Sequence, residues 1–280
     1  MTIYPTRETD MSKDINKTDE QGRKQGHWVE EDKHGTVLEG SYVDGKRHGH
    51  WVFRPADGGV QEGPFVDGKK TGHWVIRFAE SVHEGTLVDG EENGHWIVRD
   101  VDGNVLQKGS YMDGMQHGHW FERHADGTVE EGPCVDDKRH GHWVVRYADG
   151  DVAEGPFVDG EKHGHWVFRY ANGLVDEGPY VNGERHGYWV EQFDDGHVEK
   201  GPYVNGEKHG QWIEGYANGI VKEGPWVDGE KTGHWVERYS GGETVAEGPM
   251  LNGKRHGQWT VPGLFGFGKR TVTFRHGEEV

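Results

Sequence analysis

The stretch Gly164-His165-Trp166-Val167-Phe168-Arg169-Tyr170-Ala171-Asn172-Gly173-Leu174-Val175-Asp176-Glu177-Gly178-Pro179-Tyr180-Val181-Asn182-Gly183-Glu184-Arg185-His186 reads as one β-hairpin and its exit. Trp166 to Tyr170 is aromatic and β-branched, which suits a strand. Asn172-Gly173 follows, and Asn-Gly is a strong hairpin signal because both residues tolerate positive φ. A second strand runs from about Val175 to Val181 and ends at another such turn, Asn182-Gly183. Glu184-Arg185-His186-Gly187 then leads to the next tryptophan.

The same unit recurs along the chain, marked by Trp28, Trp51, Trp74, Trp96, Trp120, Trp143, Trp166, Trp189, Trp212, Trp235 and Trp259. Their spacing is 23 residues, with one slip to 22 and two to 24. A fixed period of this length marks an array of supersecondary units, each stable only against its neighbours. Helical periodicity is absent, and 47 glycines in 280 residues oppose helix formation. The expected fold is all-β: an elongated single array of about ten β-hairpin repeats forming a twisted, curled antiparallel sheet. The tryptophans are its expected core. Residues 1–21 are polar and predict a disordered tail. Residues 22–259 form the array, and 260–280 a C-terminal cap in which Arg270 to Arg275 alternates like a last strand.

Loop length sets the register, and a one-residue slip inverts a strand's faces. A three-residue loop with a glycine bulge sorts the side chains best. It places Trp166, Tyr170, Gly178 and Tyr180 on one face and Val167, Arg169, Glu177 and Val181 on the other. This register predicts ion pairs within each hairpin: Arg54 with Glu62, Arg77 with Glu84, Arg146 with Glu154, and Arg169 with Glu177. Lys200 faces Gln192 in the same scheme, whereas Arg99/Lys108 and Glu31/Glu39 break it.

The hydrophobic fraction of 32% is low for a domain of this length, and the formal net charge is −18. An acidic surface opposes binding to nucleic acid, and none is expected as a partner. Cys134 is the single cysteine, which excludes an intrachain disulfide. It stands where other units carry an aromatic, so it is expected to pack as a small hydrophobe. No apolar signal core or membrane-length run is evident, and the expected location is cytoplasmic.

Histidine recurs at two positions of the unit, giving His48/His50, His117/His119, His140/His142 and His163/His165. Residues i and i+2 of a strand share a face, so each pair is a weak candidate for gripping a metal ion. Thr71, Asn93, Thr232, Tyr188, Gln211 and Gln258 interrupt the two rows, which argues against a metal array. No metal or cofactor is expected. The tryptophan ladder reads as core ahead of a platform for flat ligands. Gly263 to Arg270 nearly spells a phosphate loop but ends in Arg270, with too few residues left for the helix such a loop needs. No unique acid-base or nucleophile grouping stands out, so no catalytic residue is assigned and no enzyme is expected.

Tyr42-Val43-Asp44-Gly45-Lys46-Arg47-His48-Gly49 and Tyr180-Val181-Asn182-Gly183-Glu184-Arg185-His186-Gly187, with Glu-Gly before them as in Glu62-Gly63, Glu154-Gly155 and Glu177-Gly178, resemble the MORN-repeat family. The resemblance covers about Gly22 to Trp259. Units of the eukaryotic type carry glycine two residues after His-Gly, where this chain has Trp, as in His48-Gly49-His50-Trp51. That is similar to a variant class of bacterial proteins, some of them regarded as antitoxins. The resemblance implies an elongated sheet, self-association, and roles in protein or membrane-lipid attachment.

The expected function is a non-enzymatic repeat scaffold that mediates protein–protein interaction or self-association, a homodimer included. Thr271, Val272, Thr273, Phe274 and Arg275 are the partner-binding candidates, through strand addition at an open edge. A phospholipid-binding module is one alternative. It would use Lys46-Arg47, Lys69-Lys70, Lys138-Arg139 and Lys254-Arg255, but the net charge disfavours it, and Glu161, Glu184, Glu207 and Glu230 break the stripe. An antitoxin or immunity protein that binds a toxin is the other.

Overall fold

A computed structural model describes residues 15–263 and 268–280. The fold is all-β, built from antiparallel hairpins whose strands pair with their neighbours in sequence. It falls into two compact units. One comprises residues up to His124 together with Pro133–Lys138, and the other Ala125–Gly132 with Arg139–Val280.

In the second unit the strand Gly164–Arg169 pairs with Val175–Val181, with Trp166 opposite Gly178 and Val167 opposite Glu177. Tyr170 N–H donates to Leu174 O and Gly173 N–H donates back to Tyr170 O. This is the three-residue loop expected from sequence, and Gly173 supplies the bulge at φ 92°. Trp166, Gly178 and Tyr180 therefore share a face. Tyr170 joins them, since its hydroxyl donates to Asp176 at 2.9 Å.

Tryptophan joins one hairpin to the next. Trp212 lies over Gly201 of the preceding hairpin, where an added Cβ would stand 2.5 Å from the ring. Its Nε1–H donates to Pro202 O at 2.9 Å. The same bond recurs from Trp51 to Ser41 O, Trp96 to Thr86 O and Trp259 to Pro249 O. Ten of the eleven repeat tryptophans are 5% exposed or less. Trp28 is half-buried, and among the described residues only the short strand Lys17–Thr18 precedes its own. Its Nε1–H donates to Gln25 O in its own strand and also to Lys17 O.

That bond corrects the tail boundary. Residues 15–21 are part of the fold: Lys17–Thr18 is a strand paired with Lys24 and Gln25. Asn16 acts as one more rung, its side chain accepting from Val29 N–H and donating to Val29 O. Residues 1–14 lie outside the described residues. At the other end the expected last strand is present as Lys269–Arg275, whereas most of the glycine-aromatic loop before it lies outside the described residues.

The arginines expected to pair within a hairpin instead reach the glutamate of the hairpin before. Arg54 pairs with Glu39, Arg77 with Glu62, Arg99 with Glu84, Arg146 with Glu131, Arg169 with Glu154 and Arg238 with Glu223. The expected Arg54/Glu62, Arg77/Glu84, Arg146/Glu154 and Arg169/Glu177 pairs are therefore incorrect. The glutamate within the same hairpin already faces a histidine: His50 with Glu62 at 3.6 Å and His165 with Glu177 at 3.9 Å. Lys200 is opposite Ile213, next to Gly215, where other units place the arginine, so no like-charge pair arises.

Candidate binding surface

The tryptophan face carries a row of cations. Lys24, Arg47 and Lys70 in the first unit lie 4.4–4.8 Å from the ring centroids of Trp28, Trp51 and Trp74. Arg139, Lys162, Arg185, Lys208, Lys231 and Arg255 do the same for Trp143, Trp166, Trp189, Trp212, Trp235 and Trp259, at 4.3–4.8 Å. Each cation precedes its tryptophan by four residues, a spacing that was readable from the sequence. Such contacts contribute about 0.5–2 kcal/mol each. Glu92 and Gln116 take this place before Trp96 and Trp120.

The second cation of each turn pair is thus held by a ring. In Glu161-Lys162, Glu184-Arg185, Glu207-Lys208 and Glu230-Lys231 that row continues unbroken. The glutamates interrupt only the first position.

Most of these cations also meet carboxylates on the same face. Lys24 pairs with Glu30, Arg139 with Glu130, Arg185 with Glu191, Lys208 with Glu199, Lys231 with Glu214 and Arg255 with Glu237. Glu214 is 1% exposed and also accepts from Tyr216 Oη at 2.9 Å. Burial and the Glu214 charge push the Tyr216 phenol well above its ordinary value. Burial and the Asp176 hydrogen bond push Tyr170 up to about 12. Lys70 and Lys162 make no ion pair among the described contacts. Burial lowers both, helped by Arg47 for Lys70 and by Arg185 and Arg139 for Lys162.

Between successive tryptophans stands one further residue: Tyr42, Phe65, Leu87, Tyr111 and Cys134, then Phe157, Tyr180, Tyr203, Trp226 and Met250, with Phe274 in the same place after Trp259. Where it is aromatic it meets its tryptophans edge to face, as Phe157 meets Trp166 at 5.1 Å and 90°. Cys134 is buried, as expected of a small hydrophobe.

The histidine pairs do not share a face as expected. Gly49, Gly118, Gly141 and Gly164 have positive φ, which breaks strand alternation inside or beside each pair. The first histidine of a pair sits near the next turn aspartate: His117 near Asp136 at 3.9 Å and His140 near Asp159 at 4.0 Å. The second faces the glutamate of its own hairpin, as His50 and His165 do. Among the described residues none of His48, His50, His117, His119, His140, His142, His163 and His165 belongs to a group of three closely spaced metal-ligating groups. His197, Glu199 and Glu214 do form such a group. Lys208 and Lys231 already neutralise its carboxylates.

Of the partner-binding candidates, Val272 is 5% exposed and Phe274 packs on Trp259, so both side chains belong to the core. Thr271, Thr273 and Arg275 alternate to the other face. Lys269–Arg275 pairs along its length with Gly257–Pro262. Its outer edge meets Glu278 and Glu279 at Arg275 and Phe274, and Val280 N–H donates to Thr273 O. Among the described residues no strand pairs with that edge at Thr271.

A second surface was not foreseen. The residue before each Asp-Gly or Asn-Gly turn is apolar and half-exposed: Val43, Val66, Val88 and Met112 in the first unit, and Val158, Val181, Val204, Val227 and Leu251 in the second. Gly183 N–H donates to Lys162 O, Gly206 N–H to Arg185 O and Gly229 N–H to Lys208 O, stacking these turns in line.

No protein-family model matches the chain, and no curated protein matches it. Solved structures similar to it include the TCP domain of Drosophila melanogaster SAS-4 in complex with a proline-rich motif of Ana2. That match has 15% identity and a TM-score of 0.25, over 73% of this chain and 98% of that one. Virginiamycin B lyase from Staphylococcus aureus matches at 9% identity and a TM-score of 0.17, over 88% of this chain and 93% of that one. A streptogramin B lyase matches at 8% identity and a TM-score of 0.16, over 94% and 86%. Likenesses this low carry no functional conclusion. Among the described residues no helix is long and apolar enough to cross a membrane.

Proposed function

We propose that this protein is a non-catalytic, MORN-like repeat scaffold that binds a protein partner through a repeated surface. The observation that carries the reading is the exposed apolar row at the stacked turns, exemplified by Val158, Val181, Val204, Val227 and Leu251. One half-exposed aliphatic side chain needs no explanation, but a row at fixed spacing is a surface suited to burial. Many weak identical contacts add to useful affinity when the partner spans several units. The ring-held, ion-paired cations favour this reading over a phospholipid-binding one, since few remain free to meet anionic headgroups. The edge at Thr271 adds a route for self-association by strand addition.

Photo-crosslinking side chains placed at positions 181 and 204 in cells test the proposal, with position 241 as the control. Discrete crosslinked proteins at 181 and 204, absent at 241, are the expected result. Equal capture at all three positions, or none, would overturn it.

A further inference from the structure

The row of rings in the second unit has a gap at Met250. Edge-to-face contacts run from Trp212 through Trp226 to Trp235, and resume between Trp259 and Phe274. Between Trp235 and Trp259 the ring position holds Met250. The gap opens as a groove of about 580 Å³ lined by Trp226, Trp235, Met250 and Trp259, the cations Lys222, Lys231 and Arg255, and the carboxylates Glu230 and Glu237. In complete units one cation covers two rings: Arg185 covers Trp189 and Tyr203, and Arg139 covers Trp143 and Phe157. Lys231 covers Trp235 and the upstream Trp226 but has Met250 on its downstream side.

The groove therefore keeps the environment of an aromatic ring without the ring. We infer that it binds a small planar aromatic carboxylate. The ring lies over the adaptable Met250, which packs on Trp235 and Trp259 where other units carry a ring. The carboxylate pairs with Lys222. Lys231 is already held by Glu214 and Arg255 by Glu237. Lys222 stands between Glu214 and Glu237 on the flanking strands, yet its ammonium lies over Tyr216 at 5.1 Å and forms no ion pair with either. A half-buried lysine whose ammonium lies over a ring and outside these ion pairs is the natural partner for an incoming anion.

The first unit supplies the contrast. Leu87 leaves a similar gap, with a groove of about 460 Å³ lined by Lys70, Leu87, Glu92 and Trp96. There Glu92 replaces the cation before Trp96, and burial raises its pKa. An anion would gain less at that gap. The inference is independent of the apolar turn row and of any protein partner.

The test is calorimetric titration of the full chain with 2-naphthoate and with neutral 2-naphthamide, alongside the indole N–H resonances in NMR. Naphthoate is expected to bind with one site per chain and a Kd below about 1 mM. It should shift the Trp235 and Trp259 signals, and naphthamide should bind at least about tenfold more weakly. Met250→Phe fills the gap with the chain's own ring and is expected to abolish binding. Lys222→Gln, which leaves the rings in place, is expected to weaken naphthoate to the level of the amide. Leu87→Phe should change nothing. No binding by the wild-type chain, equal binding of the amide, or binding unaltered by either Met250→Phe or Lys222→Gln would overturn the inference.

Discussion

Trp166 lays its indole against the backbone of Gly155, so that a Cβ added to Gly155 would stand 2.5 Å from the ring. The two residues belong to successive hairpins, and Trp166 Nε1–H donates to Pro156 O beside the glycine at 2.9 Å. The contact fastens one unit to the next. Gly155→Ala forces ring and strand apart and is expected to destabilise the chain by about 1–3 kcal/mol. Gly241→Ala, where an added Cβ meets nothing and φ is ordinary, should lie within about 0.5 kcal/mol of wild type. Urea denaturation followed by tryptophan fluorescence reads both. Equal effects at the two sites would refute the contact's role.

Ion pairing between hairpins can be tested by double-mutant cycles. Arg77 with Glu62 should show a coupling of about 0.2–1 kcal/mol, and Arg77 with Glu84 about zero. The Arg77 hydrogen bond holds Glu62 below its ordinary value of 4.5, against the opposing effect of burial. A carboxylate with a depressed folded-state pKa stabilises the fold above its unfolded pKa. That contribution is lost as pH falls through the lower folded pKa. Glu62→Gln should therefore flatten the loss of stability with acid below about pH 4.5.

Lys162 and Lys208 each cover a tryptophan, yet they should respond differently to replacement by methionine. Lys208 neutralises the largely buried Glu199 and lies near Glu191. Lys208→Met takes the cation from Glu199, whereas Glu191 keeps Arg185, and is expected to cost up to about 3 kcal/mol. Lys162 has no such partner, and burial lowers its pKa. Burial penalises its charge at neutral pH, and this penalty fades as pH rises through the folded pKa towards the ordinary 10.5. Lys162→Met should be milder than Lys208→Met in the same denaturation assay. The reverse order would contradict the account.

Asn16 extends the pairing on the outer edge of the strand Lys24–Glu31 with two hydrogen bonds to Val29. Asn16→Ala is expected to cost about 1 kcal/mol locally and to speed amide exchange at Val29. Exchange at Trp166 should be unaffected, because repeat arrays pass stability only to near neighbours.

The period, the two turns and the hairpin register are legible in the sequence itself. They depend on local chemistry: Asn-Gly and Asp-Gly for the turns, and the alternation of Trp166, Gly178 and Tyr180 for the face. Spacing alone predicted that tryptophan would be core. The ring-covering cations were also within reach, since Arg185 and Trp189 keep a fixed four-residue separation repeated along the chain.

Other features needed the tertiary structure. Arg169 could meet Glu177 in its own hairpin or Glu154 in the one before, and strand alternation allows both. The choice follows from His165 facing Glu177. Residues 15–18 look like a polar tail, and only the unpaired edge of Lys24–Glu31 and the Nε1–H of Trp28 give them a place. Met250 differs from Tyr203 by a single letter in a repeat, and packing turns that difference into a groove. Sequence by itself determined what each unit forms, because a hairpin is held by neighbours in the chain. Which units meet, and which atoms they leave unpaired, was decided by packing between residues some 10 to 20 positions apart, where several partners compete for the same group.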